Sequence, residues 1–424
     1  MSINGVEIMN GMDERVARGK TIALHPEKIE KTSGDTWSVP SQTGIGRYQV
    51  WSNGIDAKCE CEDHKKRSAP CKHIFAVMEL QLKEAGQTLS GSPLKPKKQY
   101  PQDWKAYNKG QIGEMRLVDT LLRDLVSGVP DMPRTPGTHG PAPMPLRDAL
   151  YCAMLKVYSG LSCRRAQGVH LNVAERGLLS KVPSFPISSQ ALNRPEATAI
   201  LYQLLTLSAM PLAGLEDGGN VSPDSTGIQT TSFGGWREEK HGEKRQKHWL
   251  KVHAMVGTKT HVIISAIVSD VASGDAPQFE PLLRSALAAG FHPAIVTADK
   301  GYLSRDNYTL ADDLKLNAYI PFKVNSISAA GGSPAWHKAY HLFQANRAEF
   351  DLHYHLRSNV ESVFSALKRK FGEFIRSRTT TAQVNEVLCK LICYNLSVVI
   401  HEMFENGIAP NFVLETKLAE VKQN

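Results

Sequence analysis

Two sets of residues in this chain have the types and spacing to do chemistry. The first is Cys59-Glu60-Cys61 followed by Cys71-Lys72-His73, a Cys-x-Cys-x9-Cys-x-His arrangement. Three thiolates and an imidazole within 15 residues suit one closed, tetrahedral Zn²⁺ site, and a closed ligand set is structural rather than catalytic. His64 is a spare ligand candidate in the basic stretch between the two pairs. The second set is Asp224, Asp299 and Glu361, three carboxylates far apart in the chain. Hard oxygen ligands suit Mg²⁺ or Mn²⁺. Two such ions, about 3.5–4 Å apart, activate the attacking oxygen and stabilise the leaving one in phosphodiester cleavage. Taken singly, each carboxylate has an ordinary reading: a turn or cap aspartate, or a glutamate on a solvated helix face.

The segment around Glu361 adds weight. Tyr354, Arg357, Glu361 and Lys368 are separated by 3, 4 and 7 residues. On one helix they fall within about 60° of each other, beside an apolar stripe of Val360, Phe364, Leu367 and Phe371. Arg357 and Lys368 are placed to grip phosphates next to the metal centre. An i,i+4 charge pair on a surface helix is the ordinary alternative, and it leaves the tyrosine unexplained.

The elements that must position these residues follow from composition and periodicity. Residues 1–86 read as a small domain of short strands and one helix, thin enough in core to need a metal staple. Residues 87–145 read as linker with a short helix at 115–126 and a proline-rich stretch after it. Residues 146–215 read as an all-helical module. Arg164, Arg165 and Arg194 there are compatible with DNA contact and equally with simple helical packing. Residues 216–424 run strand, strand, strand, helix, strand, helix, strand, helix, with a long amphipathic helix at the end. Asp275 and Ser304 stand where N-caps belong. The expected fold is therefore α/β: a ribonuclease-H-like mixed-sheet catalytic core preceded by a helical module and a small α+β finger. In such a core the first and fourth strands, which carry Asp224 and Asp299, are neighbours.

Charge and cysteine use set the context. The formal net charge is +8, which favours a polyanionic partner. The excess concentrates in residues 236–251, which include Lys244, Arg245, Lys247 and Lys251, and in Lys368 to Lys370 with Arg376 and Arg378. Both clusters suit DNA backbone contact. Seven cysteines, an odd number, argue against a secreted disulfide scaffold. Cys152, Cys163, Cys389 and Cys393 lie in apolar or helical patterns and read as buried. No unbroken apolar run reaches the roughly 18–20 residues that span a bilayer, so the expectation is a cytoplasmic protein with no membrane partner.

Tyr-x2-Arg-x3-Glu-x6-Lys, matched at full spacing by Tyr354, Arg357, Glu361 and Lys368, resembles the YREK signature of bacterial insertion-sequence DDE transposases. The Asp224-Ser225-Thr226 and Asp299-Lys300-Gly301-Tyr302 segments resemble the surroundings of that group's two aspartates. The resemblance implies two catalytic Mg²⁺ or Mn²⁺ ions, strand cleavage and strand transfer at double-stranded transposon ends, and a homodimer or larger synaptic complex. Only 61 residues separate Asp299 from Glu361, which excludes the large β-rich insertion of some members. In those members a tryptophan of that interval stacks on a flipped base. Trp336 is the only tryptophan in the interval here, within residues 331–338, which read as loop. The Cys59, Cys61, Cys71 and His73 pattern, with Pro70 before and Ile74 after, resembles the SWIM zinc finger, whose partners are DNA or protein. Two readings stand beside transposase: a metal-dependent DNA nuclease without strand transfer, and a non-catalytic DNA-binding regulator. A regulator predicts a broken carboxylate trio, and here the trio is intact.

Overall fold

The structure is a computed structural model and describes residues 15–42, 44, 46–53, 56–84, 103–131, 144–230, 249–329 and 331–412. The basic residues Lys244, Arg245 and Lys247 lie outside the described residues, as do 87–102 and 132–143 of the stretch read as linker. The chain divides into two compact units, Met1–Pro101 and Gln102–Asn424.

In the first unit, residues 15–23 are helical. An antiparallel four-stranded sheet follows in the order β1 (Glu30–Ser33), β2 (Thr36–Pro40), β3 (Arg47–Ser52) and β4 (Ala57–Cys59). Helices α1 (Glu62–Arg67) and α2 (Lys72–Glu84) complete the unit. Alternation puts Trp37, Val39 and Val50 inward, against Ile74 and Val77 of α2. Strand β1 and the short helix α1 escaped the periodicity reading because each spans barely one repeat.

The second unit holds a five-stranded sheet in the order β7-β6-β5-β8-β9. Strands β5 (Asn220–Gln229), β6 (Trp249–Gly257) and β7 (Ile263–Asp270) form an antiparallel meander. Strands β8 (Ile295–Thr297) and β9 (Asn317–Tyr319) run parallel to β5. The strand with Asp224 and the strand that ends before Asp299 are thus hydrogen-bonded neighbours, as the order of elements required.

Two boundaries differ from the sequence expectation. The segment read as linker with a short helix holds α3 (Trp104–Val126), 23 residues long. Asp103 caps it through the amides of Lys105 and Ala106. The helical stretch 146–215 is not a separate module either. Its helices α4 (Leu146–Ser159), α5 (Cys163–Glu175), α6 (Ile187–Leu192) and α7 (Pro195–Ala209) share one hydrophobic core with the sheet. The final helix, α13 (Thr380–Glu405), packs against α3, α4 and α7. Two buried asparagines of α13 lock this arrangement. Asn395 Nδ2 donates to the Ile263 carbonyl at 2.7 Å and its Oδ1 accepts the Ile263 amide at 2.9 Å. Asn385 Nδ2 donates to the Leu192 carbonyl at 2.9 Å and its Oδ1 accepts from Thr198 Oγ1 at 2.8 Å. Satisfied polar groups at such depth specify which helices meet.

By length and mean hydropathy, Pro195–Glu216 and Thr380–Glu405 are each long and apolar enough to cross a membrane, although neither is an unbroken apolar run. The second is mostly buried inside the unit. A core helix packed on nearly every side is apolar all round for that reason.

Candidate active site and metal centre

The carboxylate site is built on strand order. The β5·β8 ladder joins only Asn220 to Ile295 and Val221 to Val296. Beyond it Ser222 Oγ donates to the Thr297 carbonyl at 2.6 Å. The part of β5 carrying Asp224 is therefore flanked by the turn that follows β8. Asp299 begins that turn, and its Oδ1 accepts the Gly301 amide at 2.8 Å, capping the 3-10 turn Lys300–Tyr302. Asp224 is buried, and its Oδ1 accepts the Ser225 amide at 2.8 Å.

Glu361 comes from the late helical segment. That segment is not one regular helix. It runs α11 (Arg347–Tyr354), a 3-10 turn His355–Arg357 and then α12 (Ser358–Phe371). Val360, Val363, Phe364 and Leu367 face the core, and α12 packs against β5. The tighter 3-10 turn advances Arg357 relative to an ideal helix. Its guanidinium donates through Nη1 to Glu361 Oε1 at 2.8 Å and through Nη2 to Asp224 Oδ2 at 3.0 Å. Arg357 thus lies between two of the three carboxylates instead of pointing freely at solvent.

The electrostatics agree with convergence. Burial raises the pKa of Asp224, and the charges of Asp299 and Glu361 push it further, against the Ser225 amide and Arg357. Tyr354 is raised by burial first and feels Asp299, Asp224 and Glu361 as well. Glu361 remains largely exposed, with 61% of its side chain accessible. Asp224 thus feels the charges of Asp299 and Glu361, balanced by the Arg357 guanidinium, and carboxylate oxygens are hard donors of the type that divalent Mg²⁺ or Mn²⁺ takes. Tyr319 stacks on His353 and meets Phe350 edge-on, fixing α11 to β9.

Several sequence-level assignments change. Lys370 is not a free DNA-contacting cation: its ammonium pairs with buried Glu114 of α3 and lies over the Tyr158 ring. Lys251 lies in β6 and pairs with Asp275 at 2.8 Å. Asp275 makes no side-chain cap hydrogen bond, whereas Ser304 caps α9 (Arg305–Asp313) as expected. Trp336 lies in the first turn of α10 (Pro334–Ala345), not in a loop. It is 6% exposed, packed against Tyr308 and Phe322 under Arg305, with its indole N–H on the Ile327 carbonyl. A buried indole is not presented for base stacking. Lys368 lies on α12 seven residues after Glu361 and is half-buried.

In the first unit, Cys59, Cys61, Cys71 and His73 are all buried, with ligand atoms within 4.8 Å of one another. Cys59 pairs with Val50 in the sheet, and His73 begins the first turn of α2, so core packing brings the two pairs together. Cys59 Sγ and Cys71 Sγ lie 3.8 and 3.9 Å from His73 Nδ1. Those separations are a few tenths of an ångström longer than the roughly 3.5 Å edge of a tetrahedron with Zn–S of roughly 2.3 Å and Zn–N of roughly 2.0 Å. The hydrogen bond from Cys59 lowers the pKa of Cys71 to about 3, and the same bond raises that of Cys59. His64 is removed from the set, because its Nδ1 meets the Ala69 carbonyl at 2.8 Å. The residues present therefore fit Zn²⁺.

One similar solved structure is the piggyBac transposase synaptic complex with hairpin DNA, at 10% identity and TM-score 0.33, covering 70% of this chain and 74% of that one. Residues 221–396, which run from β5 into α13 and contain Asp224, Asp299 and Glu361, match the family model of the transposase DDE domain.

Proposed function

We propose that this protein is a transposase that cleaves double-stranded DNA at element ends and joins it to a target in a divalent-metal-dependent reaction. The observation that carries the reading is that Arg357 joins Asp224 to Glu361, and that the strand bearing Asp224 pairs with the strand that ends before Asp299, within a segment that matches the transposase DDE domain. The strand order β7-β6-β5-β8-β9, with β6 antiparallel to its neighbours, supports a ribonuclease-H-like core.

In this reading Asp224, Asp299 and Glu361 hold two Mg²⁺ or Mn²⁺ ions. When bound, the ions supply Lewis-acid activation of the attacking oxygen and stabilise the leaving one. Asp224 is the fixed anchor, because burial and the Ser225 amide restrict it. Glu361 is the adjustable one, being exposed on α12. Arg357 holds both carboxylates in place and offers its remaining donors to a phosphate oxygen. Tyr354 and Lys368 extend the DNA-facing row on either side, and Lys244, Arg245 and Lys247 supply further backbone contacts. The amino-terminal unit acts as a SWIM-type zinc finger with one structural Zn²⁺. Its exposed Lys65, Lys66 and Arg67 lean towards DNA. The working form is a homodimer or larger synaptic complex in the cytoplasm.

The test incubates the purified protein with candidate element ends, a target plasmid and Mg²⁺. Joined products are expected with wild type and not with Glu361→Gln. Cleavage that persists in Glu361→Gln sinks the site assignment, and cutting without joining identifies a nuclease.

A further inference from the structure

A partly buried charged group stands beside the Asp299 turn. Asp275 precedes the 3-10 turn Ala276–Gln278 that leads into α8 (Phe279–Ala288). An aspartate there ordinarily caps the turn with its side chain. Here the carboxylate makes no side-chain cap and pairs with strand β6 instead. Its Oδ1 lies 2.8 Å from Lys251 Nζ and 3.3 Å from His253 Nδ1. Both partners are themselves held: Lys251 Nζ donates to the Ser273 carbonyl at 2.9 Å, and His253, wholly buried, meets Ser269 Oγ through Nε2 at 3.1 Å.

The other face of Asp275 looks at the catalytic turn. A Cβ built on Gly301 would lie 2.9 Å from Asp299 Oδ1 and 3.0 Å from Asp275 Oδ2. Glycine is thus the residue that lets two carboxylates close on one backbone position. Beside them Tyr302 is completely buried, and its hydroxyl has no hydrogen-bond partner among the described residues. That hydroxyl feels the charge of Asp275 first, then Asp224 and Asp299.

We propose that Asp275 is a positioning residue of the carboxylate centre: held by Lys251 and backed by His253, its fixed negative charge faces Asp299 across Gly301 and strengthens cation binding by Asp224, Asp299 and Glu361 without itself being a ligand. The inference rests on the metal-dependent reading above. Lys251 sets its size by partly neutralising Asp275, so the two residues act on cation affinity with opposite sign. A fixed charge one residue-width behind the ligands, in a partly dry site, changes divalent affinity by about tenfold.

The experiment titrates the full chain with Mn²⁺ by calorimetry, with circular dichroism as the fold control, and then measures strand joining across Mn²⁺ concentrations. Asp275→Asn is expected to weaken Mn²⁺ binding about tenfold and to raise the Mn²⁺ needed for half-maximal joining in parallel, with turnover at saturating Mn²⁺ nearly unchanged. Lys251→Met is expected to tighten Mn²⁺ binding, which keeps the test decisive if Asp275→Asn misfolds. Asp299→Asn abolishes the calorimetric signal and identifies the site being read. Wild-type Mn²⁺ affinity in both Asp275→Asn and Lys251→Met overturns the proposal. So does a loss of turnover at saturating Mn²⁺ with binding intact. Failure of the transposase reading looks different: Mn²⁺ binding shifts as described while no variant, wild type included, joins DNA.

Discussion

Replacing Glu114 tests how the helix that carries Glu361 is held. Glu114 lies on α3 with its side chain 7% exposed, paired with Lys370 of α12, nine residues beyond Glu361. It also accepts from Tyr158 Oη at 2.6 Å and from Ser397 Oγ at 3.2 Å. Glu114→Ala therefore strands an ammonium and a phenol in a site nearly closed to water, while the Ser397 hydroxyl keeps the Cys393 carbonyl at 3.1 Å. Breaking a buried pair from one side costs about 3–5 kcal/mol. Lys370 is 32% exposed and recovers some hydration, which puts the expectation near the lower end, about 3 kcal/mol. Glu114→Leu combined with Lys370→Met removes both charges and is expected within about 1–2 kcal/mol of wild type. Urea unfolding gives these numbers as midpoint shifts at constant slope. The pair also predicts a pH dependence. Burial raises the Glu114 pKa, but Lys370 and the Tyr158 hydroxyl outweigh it and hold the carboxyl below its ordinary range. A depressed folded-state pKa means the stabilisation is present above the unfolded glutamate pKa and is lost as pH falls through the folded value. Wild type and Glu114→Ala should therefore converge in stability on the acid side of about pH 4. A Glu114→Ala cost below about 1 kcal/mol, or a double variant as unstable as the single one, refutes the buried-pair argument.

Other outcomes can be checked in parallel. Cys59→Ser and Cys71→Ser should each lose bound zinc by atomic absorption, whereas His64→Ala should keep one equivalent, because His64 is occupied by the Ala69 carbonyl. Trp336→Ala should cost about 3–5 kcal/mol in urea unfolding, as a core residue does. A loss of joining with stability unchanged would instead point to a DNA contact. Gly301→Ala should lower Mn²⁺ affinity with little loss of stability, read by calorimetry beside urea unfolding, since its methyl group would press on Asp299 and Asp275 rather than on backbone.

The sequence by itself marked the Cys/His cluster, the three carboxylates proposed as ligands and most of the elements that bear them. Cysteine and histidine spacing is local, so the zinc candidates could be read within 15 residues. Runs of β-favouring residues marked β5 to β7, which are buried on both faces over much of their length, and period-3.6 patterns marked α9, which buries one face, and α13, which buries nearly all of itself. The row of Tyr354, Arg357, Glu361 and Lys368 was legible for the same reason: helical neighbours are near in sequence. Tertiary structure decided what those residues touch. No spacing rule tells that Arg357 reaches back 133 residues to Asp224, or that Lys370 is claimed by Glu114, 256 residues earlier. The 23-residue helix α3 was read as half its length because its first turns carry glycine, lysine and asparagine, and its burial depends on a helix near the other end of the chain. Trp336 looked like a loop residue among glycines until α10 folded it under Arg305. Asp275 looked like a cap, since local sequence records a capping position but not the direction of a side chain. Which of two legitimate partners an aspartate takes depends on Lys251 and His253, and only the pairing of β6 with its neighbours brings those within reach.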